Sequence, residues 1–332
     1  MTKPRTHSTR LEVDVAIVGA GPTGLFAAYY AGFRGLSTAL IDALPEPGGQ
    51  VTAMYPEKLI YDVAGFPAVK GRELVANLVE QAAPYHPQYF LGERAETLEY
   101  EADDKPTLKL DSGATIHCGA ILVTGGMGSF TSRPLPAADE FKGRGVVYFV
   151  PALDAHRGED VVVVGGGDSA FDWALALHPI AKQVTLVHRR EKFRAHAATV
   201  ERVRELGVPI VVNAEVTKIL GDGRVEGAEI VVRGEEPKIV PADTIVAALG
   251  FTADLGPLAD WGFEIDKRHI KADTTMATNL PRVFAAGDIC DYPGKVRLIA
   301  VGFGEAATAV NNAAVVIDPD AHLFPGHSSN AG

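Results

Sequence analysis

The sequence predicts an α/β protein built from two Rossmann-like units, and three observations carry that reading. A β-branched strand, VDVAIV at 13–18, runs straight into the glycine turn Gly19-Ala-Gly-Pro-Thr-Gly24 and a helical stretch over 25–34. The same order returns as a valine strand at 161–164, the turn Gly165-Gly-Gly-Asp-Ser-Ala170 and a helical stretch over 171–179. Each unit then adds a second strand, at 37–41 and 184–187, and closes on an apolar run ending in glycine, at 120–126 and 244–250. Alternating strand and helix predict parallel sheets with helices on their faces and ligands at the carboxyl ends of the strands.

The glycines of the first turn have separate uses. Gly19 permits the tight turn, Gly21 leaves room for a pyrophosphate to approach the backbone, and Gly24 lets helix and strand pack closely. The helix that follows offers free N–H groups and a positive dipole end to phosphate. Asp42 closes the second strand at about the 20-residue distance where a carboxylate accepts from a ribose diol. Together these predict a dinucleotide site.

The second turn, formed by Gly165, Gly167, Asp168, Ser169 and Ala170, places alanine as its third small residue, which the pattern allows. The interval from Gly24 to Asp42 recurs from Ala170 to His188, so Asp42 and the cluster His188-Arg189-Arg190 should occupy equivalent strand ends. A carboxylate there would repel a 2′-phosphate, whereas guanidinium forks bind it. The second ligand is therefore expected to be NADP(H) rather than NAD(H), with Arg194 a further phosphate contact. The alternative is a solvated basic edge.

Smaller features complete the chain. Residues 107–110 with 115–117, and 228–232 with 238–240, alternate as antiparallel β inserts. A short strand at 283–285 leads to Gly287 and Asp288, then to a helix ending near residue 316. Asp288 can accept a hydrogen bond from a ligand hydroxyl, although a Gly-Asp pair alone is only a turn.

Composition bounds the function. A chain of 332 residues, 47% hydrophobic and 22% charged, fits about two globular domains. With 42 acids against 31 bases the net charge is −11, which argues against nucleic acid or an anionic membrane surface as partner. The two cysteines, Cys118 and Cys290, are far apart and form no CxxC, so neither a disulfide framework nor a metal site is expected. No run approaches the roughly 18 to 20 apolar residues of a membrane span, and the basic N-terminal stretch has no apolar core; a cytoplasmic protein is expected.

The order of motifs across nearly the whole chain resembles the two-dinucleotide flavoprotein group that includes thioredoxin reductase. The resemblance rests on the two glycine turns, Pro47-Gly-Gly-Gln50, Thr124-Gly-Gly126, His188-Arg-Arg190 and Ala286-Gly-Asp288. Within that group the chain is similar to the ferredoxin/flavodoxin–NADP(+) reductase branch, on TAMYPEKLIYDVAGFP at 52–67, Phe193-Arg-Ala195 and the C-terminal His327-Ser-Ser329. The resemblance implies an FAD-binding domain in two segments, 1–125 and 282–332, around an NADP(H)-binding domain at 126–281, with crossovers at Gly125-Gly126 and Asn279-Leu280-Pro281. It implies FAD contacts by Gly19, Gly21, Thr23 and Gly24 at the turn, Asp42 at the adenosine ribose, Gln50, Tyr55 stacking on the isoalloxazine, the Ala95 backbone near the adenine, Phe130 after the crossover, Asp288 at the ribityl chain and Ser329 in the tail. Tyr55 and His327 become flavin-tuning or gating residues, His327 in competition with Phe324, and a homodimer is expected. Asp42 is shorter than the glutamate more usual in the group, and Ser329 stands where a threonine is usual.

Thioredoxin reductases carry a thiol pair just before the second glycine turn; here the place reads Phe149-Val150-Pro151-Ala152. Cys118 and Cys290 do not restore the relay, since a dithiol needs two close sulfurs and Cys290 beside Asp291 lacks an electropositive setting. Electrons would then leave the flavin directly to a one-electron carrier, a ferredoxin or flavodoxin, with no acid–base residue required. The alternatives are an NADPH oxidase or diaphorase, a reductase of an unusual disulfide protein, and a non-catalytic NADPH-sensing flavoprotein.

Overall fold

A computed structural model describes residues 10–101, 103–324 and 326–327. The chain divides into two compact units, one formed by residues up to Ser129 together with those from Ala253 onward, the other by Phe130–Thr252.

In the first unit the strand Arg10–Val18 lies between Thr38–Asp42 and Thr115–Val123, all parallel, with Gln88–Leu91 beyond Thr38–Asp42. On its other edge the strand Thr115–Val123 serves two further partners. Its first half pairs antiparallel with Pro106–Leu110, and its second half pairs parallel with Val283–Ala285. Both faces of the sheet are covered, so the strands read as continuous apolar runs whose alternate residues enter two cores. Val15, Ile17, Leu40 and Leu122 meet the helices Pro22–Phe33, Gly71–Ala82 and Ile299–Ile317. Ala16, Ile41, Ile121 and Val123 meet Leu108, Leu255, Leu258, Phe263 and Ile270.

That second core moves a boundary. The sequence reading runs the second domain to residue 281, but 253–281 belongs to the first unit, because its apolar side chains roof the sheet face that the helices leave open. The strand His269–Lys271 also pairs with Cys290–Asp291. Asn279 receives the Glu264 N–H at 2.8 Å and donates to the Gly262 carbonyl at 2.9 Å, so the expected crossover at 279–281 is a fixed part of this roof.

The second unit holds a five-stranded parallel sheet in the order Val146–Val147, Thr244–Ala247, Asp160–Val164, Gln183–His188, Ile210–Val212. Phe171, Trp173 and Leu177 of the helix Asp168–Leu177 cover one face with Val200 and Val203. The antiparallel sheet of Ala214–Leu220, Gly227–Val232 and Lys238–Pro241 covers the other through Val216, Ala228 and Ile230.

Among the described residues one helix, Ile299–Ile317, has the length and mean hydropathy of a membrane span, contrary to the sequence expectation that no segment does. Its Ala306, Ala309, Val310 and Ala313 are buried in the core it shares with Pro22–Phe33. Its apolarity thus reflects packing between helices within the unit.

Candidate functional site: two dinucleotide turns

Strand register aligns the two turns. Val18 pairs with Ile41, and Val164 with Val187, so the next residues, Asp42 and His188, stand at equivalent strand ends, as the spacing predicts.

The first turn leaves no room for side chains where the chain must close. Gly19 takes φ +115°, and a Cβ there would lie 2.6 Å from the Thr124 carbonyl. A Cβ on Gly24 would collide with the Gly19 carbonyl oxygen, which already accepts from the Thr124 hydroxyl at 2.7 Å. Above Gly21, by contrast, nothing lies within 4 Å of the Cβ position. Gly21 caps the helix Pro22–Phe33 without a side-chain acceptor, and Pro22 sets its first turn. An open cradle at an uncapped helix start fits a pyrophosphate.

Asp42 braces this cradle. Its carboxylate accepts from the Ala20 N–H at 2.7 Å and the Leu44 N–H at 2.9 Å. Burial raises its pKa against the pull of those two bonds. Each oxygen keeps a second lone pair for a ribose hydroxyl. The chain leading to the buried Ala95 runs alongside, with the Glu93 N–H on the Asp42 carbonyl at 3.1 Å.

Three further segments converge on the turn. A Cβ on Gly287 would come to 3.0 Å from the Thr23 hydroxyl, and one on Gly302 would run into it. Thr23 therefore sits against both the Gly287–Ile289 turn, which carries Asp288, and the last helix. A Cβ on Gly49 would lie 3.1 Å from the Gly21 Cα, which brings the start of the short helix Gln50–Met54 to the cradle. The Gln50 amide nitrogen lies 2.6 Å from the Cβ position of Gly126. Tyr55 ends that helix, and burial, then the charges of Asp288 and Asp62, push its phenol up to about 12. The structure thus brings Gly19, Gly21, Thr23, Gly24, Asp42, Gln50, Tyr55 and Asp288 to one end of the sheet.

Other expected contacts fall elsewhere. Phe130 lies in the second unit, edge-on to Phe251 with ring centroids 5.9 Å apart. His327 packs edge-on against Phe324 at 5.2 Å, and the Arg34 guanidinium holds the preceding carbonyls of His322 and Leu323 at 2.8 Å each. Ser329 lies outside the described residues.

The second turn repeats the plan with different chemistry. A Cβ on Gly165 would sit 2.9 Å from the Ala170 Cβ, which is the close helix–strand approach the motif requires, and nothing lies within 4 Å of the Cβ position of Gly167. Asp168 accepts the His196 N–H at 2.8 Å and the Gly166 carbonyl accepts the Arg194 N–H at 2.8 Å, so the chain after the basic cluster is tied to the turn. Ser169 is exposed at the helix start. His188 differs from its neighbours. Its ring fills the space over Gly166 and lies 5.6 Å from Phe193. Burial, joined by the charges of Arg189, Arg190 and Arg194, lowers its pKa, so the imidazole is neutral near pH 7. Positive charge at this strand end comes from the three exposed arginines.

Upstream of the second turn, Phe149 stacks on Phe251 at 5.2 Å and an interplanar angle of 9°, and Val150 is fully buried. Cys118 and Cys290 are both buried, and burial pushes each thiol up to about 12. One expectation is corrected here: Cys290 does have a cationic neighbour, with Lys295 Nζ 3.6 Å from its sulfur. That cation is bound to Glu305, and burial with the Glu305 charge keeps the thiol protonated. Among the described residues no group of three His, Cys, Asp or Glu could hold a metal. The sequence reading passed over Glu305 itself, although it is the only charged residue of the helix Ile299–Ile317, a signal in its own right.

Comparison with known proteins agrees with this geometry. The family model for pyridine nucleotide-disulphide oxidoreductases matches residues 13–313. A ferredoxin–NADP reductase of Salinispora tropica is 71% identical over 96% of this chain and 99% of its own. One of Thermus thermophilus is 49% identical over 95% of this chain and 96% of its own. Among solved structures, a thioredoxin reductase of T. acidophilum has a TM-score of 0.75 at 28% identity, covering 93% of this chain and 98% of its own.

Proposed function

The chain belongs to the pyridine nucleotide-disulphide oxidoreductase family, and from that premise we propose that it is a ferredoxin–NADP(+) reductase, moving electrons between NADP(H) and a one-electron carrier through bound FAD. One observation carries the reading: both dinucleotide turns are built, yet residues 149–152, upstream of the second, hold no thiol and the two cysteines are buried and protonated. The high identity to proteins named ferredoxin–NADP reductase supports it.

FAD supplies the conversion between hydride and single electrons, which a disulfide relay cannot perform. The chain's own residues bind and orient. The N–H groups after Gly21 take the pyrophosphate, Asp42 and Asp288 accept from ribose and ribityl hydroxyls, and Thr23, Gln50 and the Ala95 backbone bound the site. Tyr55, protonated throughout the neutral range, stacks on the flavin ring. Around the second turn, Arg189, Arg190 and Arg194 take the 2′-phosphate of NADP(H), which an acid at the same strand end would repel.

The carrier is a ferredoxin or flavodoxin, both one-electron proteins. Given the net charge of −11, an acidic carrier docks on a local basic surface, and turnover falls with salt. The enzyme acts as a cytoplasmic homodimer, which light scattering of the purified protein tests. The deciding experiment is NADPH-dependent cytochrome c reduction with and without ferredoxin. The reading expects a rate that rises many-fold when ferredoxin is added. Equal rates in both arms would favour an oxidase or diaphorase, and a flavin that NADPH does not bleach would make the protein a sensor.

A further inference from the structure

Glu305 and Lys295 form a buried ion pair, their side chains 5% and 2% exposed. Stability alone does not explain such a pair, since desolvating two charges offsets most of their attraction. Its hydrogen bonds explain more. One Glu305 oxygen accepts from the Tyr292 hydroxyl and from Lys295, both at 2.5 Å. The other accepts from Lys295 at 2.6 Å and from the Gly287 N–H at 2.7 Å. The Gly287 carbonyl in turn accepts from the Cys290 thiol at 3.2 Å, and Lys295 touches that sulfur. Both backbone polar groups of Gly287 are thus held by one cluster.

Gly287 needs holding. It takes φ +80°, packs against Thr23 of the first glycine turn, and immediately precedes Asp288. Glu305 lies one helical turn beyond Gly302, the other glycine that meets Thr23. The face of the last helix that abuts the dinucleotide cradle is therefore also the face that anchors the Asp288 turn.

We propose that Glu305 is a positioning residue for the flavin site: its carboxylate fixes the Gly287–Asp288 turn through the Gly287 N–H, and Lys295 neutralises it in place. The inference rests on the reading that Asp288 contacts FAD. Tyr292 and Cys290 complete the clamp, which assigns Cys290 a structural donor's part.

Two double variants separate the hydrogen bond from the charge. K295M/E305Q removes both charges but keeps an amide oxygen to accept from Gly287, whereas K295M/E305L removes both charges and the acceptor. Removing both charges leaves no unpaired buried ion, so both apoproteins are expected to fold, the leucine variant with the lower thermal midpoint because the Gly287 N–H and the Tyr292 hydroxyl lose their acceptor. FAD titration of the apoproteins, followed by flavin fluorescence, is expected to show K295M/E305Q within about threefold of wild type and K295M/E305L weaker by about tenfold, the loss of one hydrogen bond to a fixed group. The visible circular dichroism of the bound flavin should shift only in the leucine variant. If that variant does not fold, E305D decides, because it keeps the charge while drawing the acceptor off Gly287; it is expected to lose FAD affinity likewise. Equal affinity in the two double variants, or unchanged affinity in E305D, overturns the inference. A wild-type apoprotein that takes up no FAD would instead sink the reading on which it rests.

Discussion

Replacing Arg189 and Arg190 together by alanine should remove most of the preference for NADPH over NADH, leaving the part that Arg194 supplies. Both guanidinium groups are exposed at the strand end equivalent to Asp42, and Arg194 beyond them is tied through its N–H to the Gly166 carbonyl at 2.8 Å. His188, though part of the same cluster, contributes no charge near pH 7, because burial and the neighbouring arginines lower its pKa. A hydrogen bond between a charged donor and phosphate is worth roughly 1.5–3 kcal/mol, and exposure favours the lower end. Two such contacts amount to about 3 kcal/mol, or about 100-fold in nucleotide affinity. Steady-state reduction of ferredoxin with NADPH and with NADH measures this. The KM for NADPH should rise by about two orders of magnitude while that for NADH changes by less than about threefold, because NADH presents no group for these arginines. The NADPH preference of the unaltered protein should also narrow as salt is raised. Equal losses with both nucleotides would show that the arginines support the fold, and an unchanged NADPH KM would place the phosphate elsewhere.

Glu159 is bound by His156 and Thr244 at 2.8 Å each and by Arg224 at 2.9 Å. Burial acts to raise its pKa, but these bonds and the charges of His156 and Arg224 outweigh it and hold the carboxyl below its ordinary value. Its contribution to stability is therefore complete above the unfolded value near pH 4.3 and is lost as pH falls through the folded one, so E159Q should flatten the acid limb of thermal midpoint against pH; parallel curves would contradict this. Tyr55, with its phenol near 12, stays protonated from pH 6 to 10, and Y55F should leave the pH dependence of flavin reduction unchanged there; a break near pH 10 removed by Y55F would count against the stacking role. Neither cysteine should react with iodoacetamide at pH 8 in the folded protein, and both should after unfolding; native labelling coupled to lost activity would revive a thiol mechanism. G24A forces a Cβ against the Gly19 carbonyl and should reduce FAD retention on gel filtration far more than G304A, an exposed helical position whose Cβ meets nothing within 4 Å; equal retention would remove the packing argument for the turn.

Local chemistry made much of the site legible. Glycine turns are specified by short-range sterics, so Gly19, Gly24 and Gly165 sit where their spacing puts them, and equal intervals placed Asp42 and His188 at matching strand ends. The orientation of His188 was not legible, because the ring's place over Gly166 depends on Phe193 and Phe171 packing behind it. The domain boundary failed for a related reason. Residues 253–281 carry no glycine signature, and only the uncovered sheet face, which needs Leu255, Leu258, Phe263 and Ile270 as its roof, assigns them to the first unit.

Glu305 shows where local reading stops and where it could go further. An acid within an otherwise uncharged, alanine-rich helix must either face water or find buried partners, and the burial of Ala306, Ala309 and Ala313 around it leaves little room for the first. Its partners, Lys295, Tyr292 and the Gly287 N–H, arrive from a loop and a turn that no helical period links to it. A lone buried acid in sequence thus marks a place where tertiary structure must supply a cation and a donor. Here the donor is the backbone N–H of Gly287, the residue before Asp288, so the charge that is costly to bury lies where the turn carrying Asp288 is held.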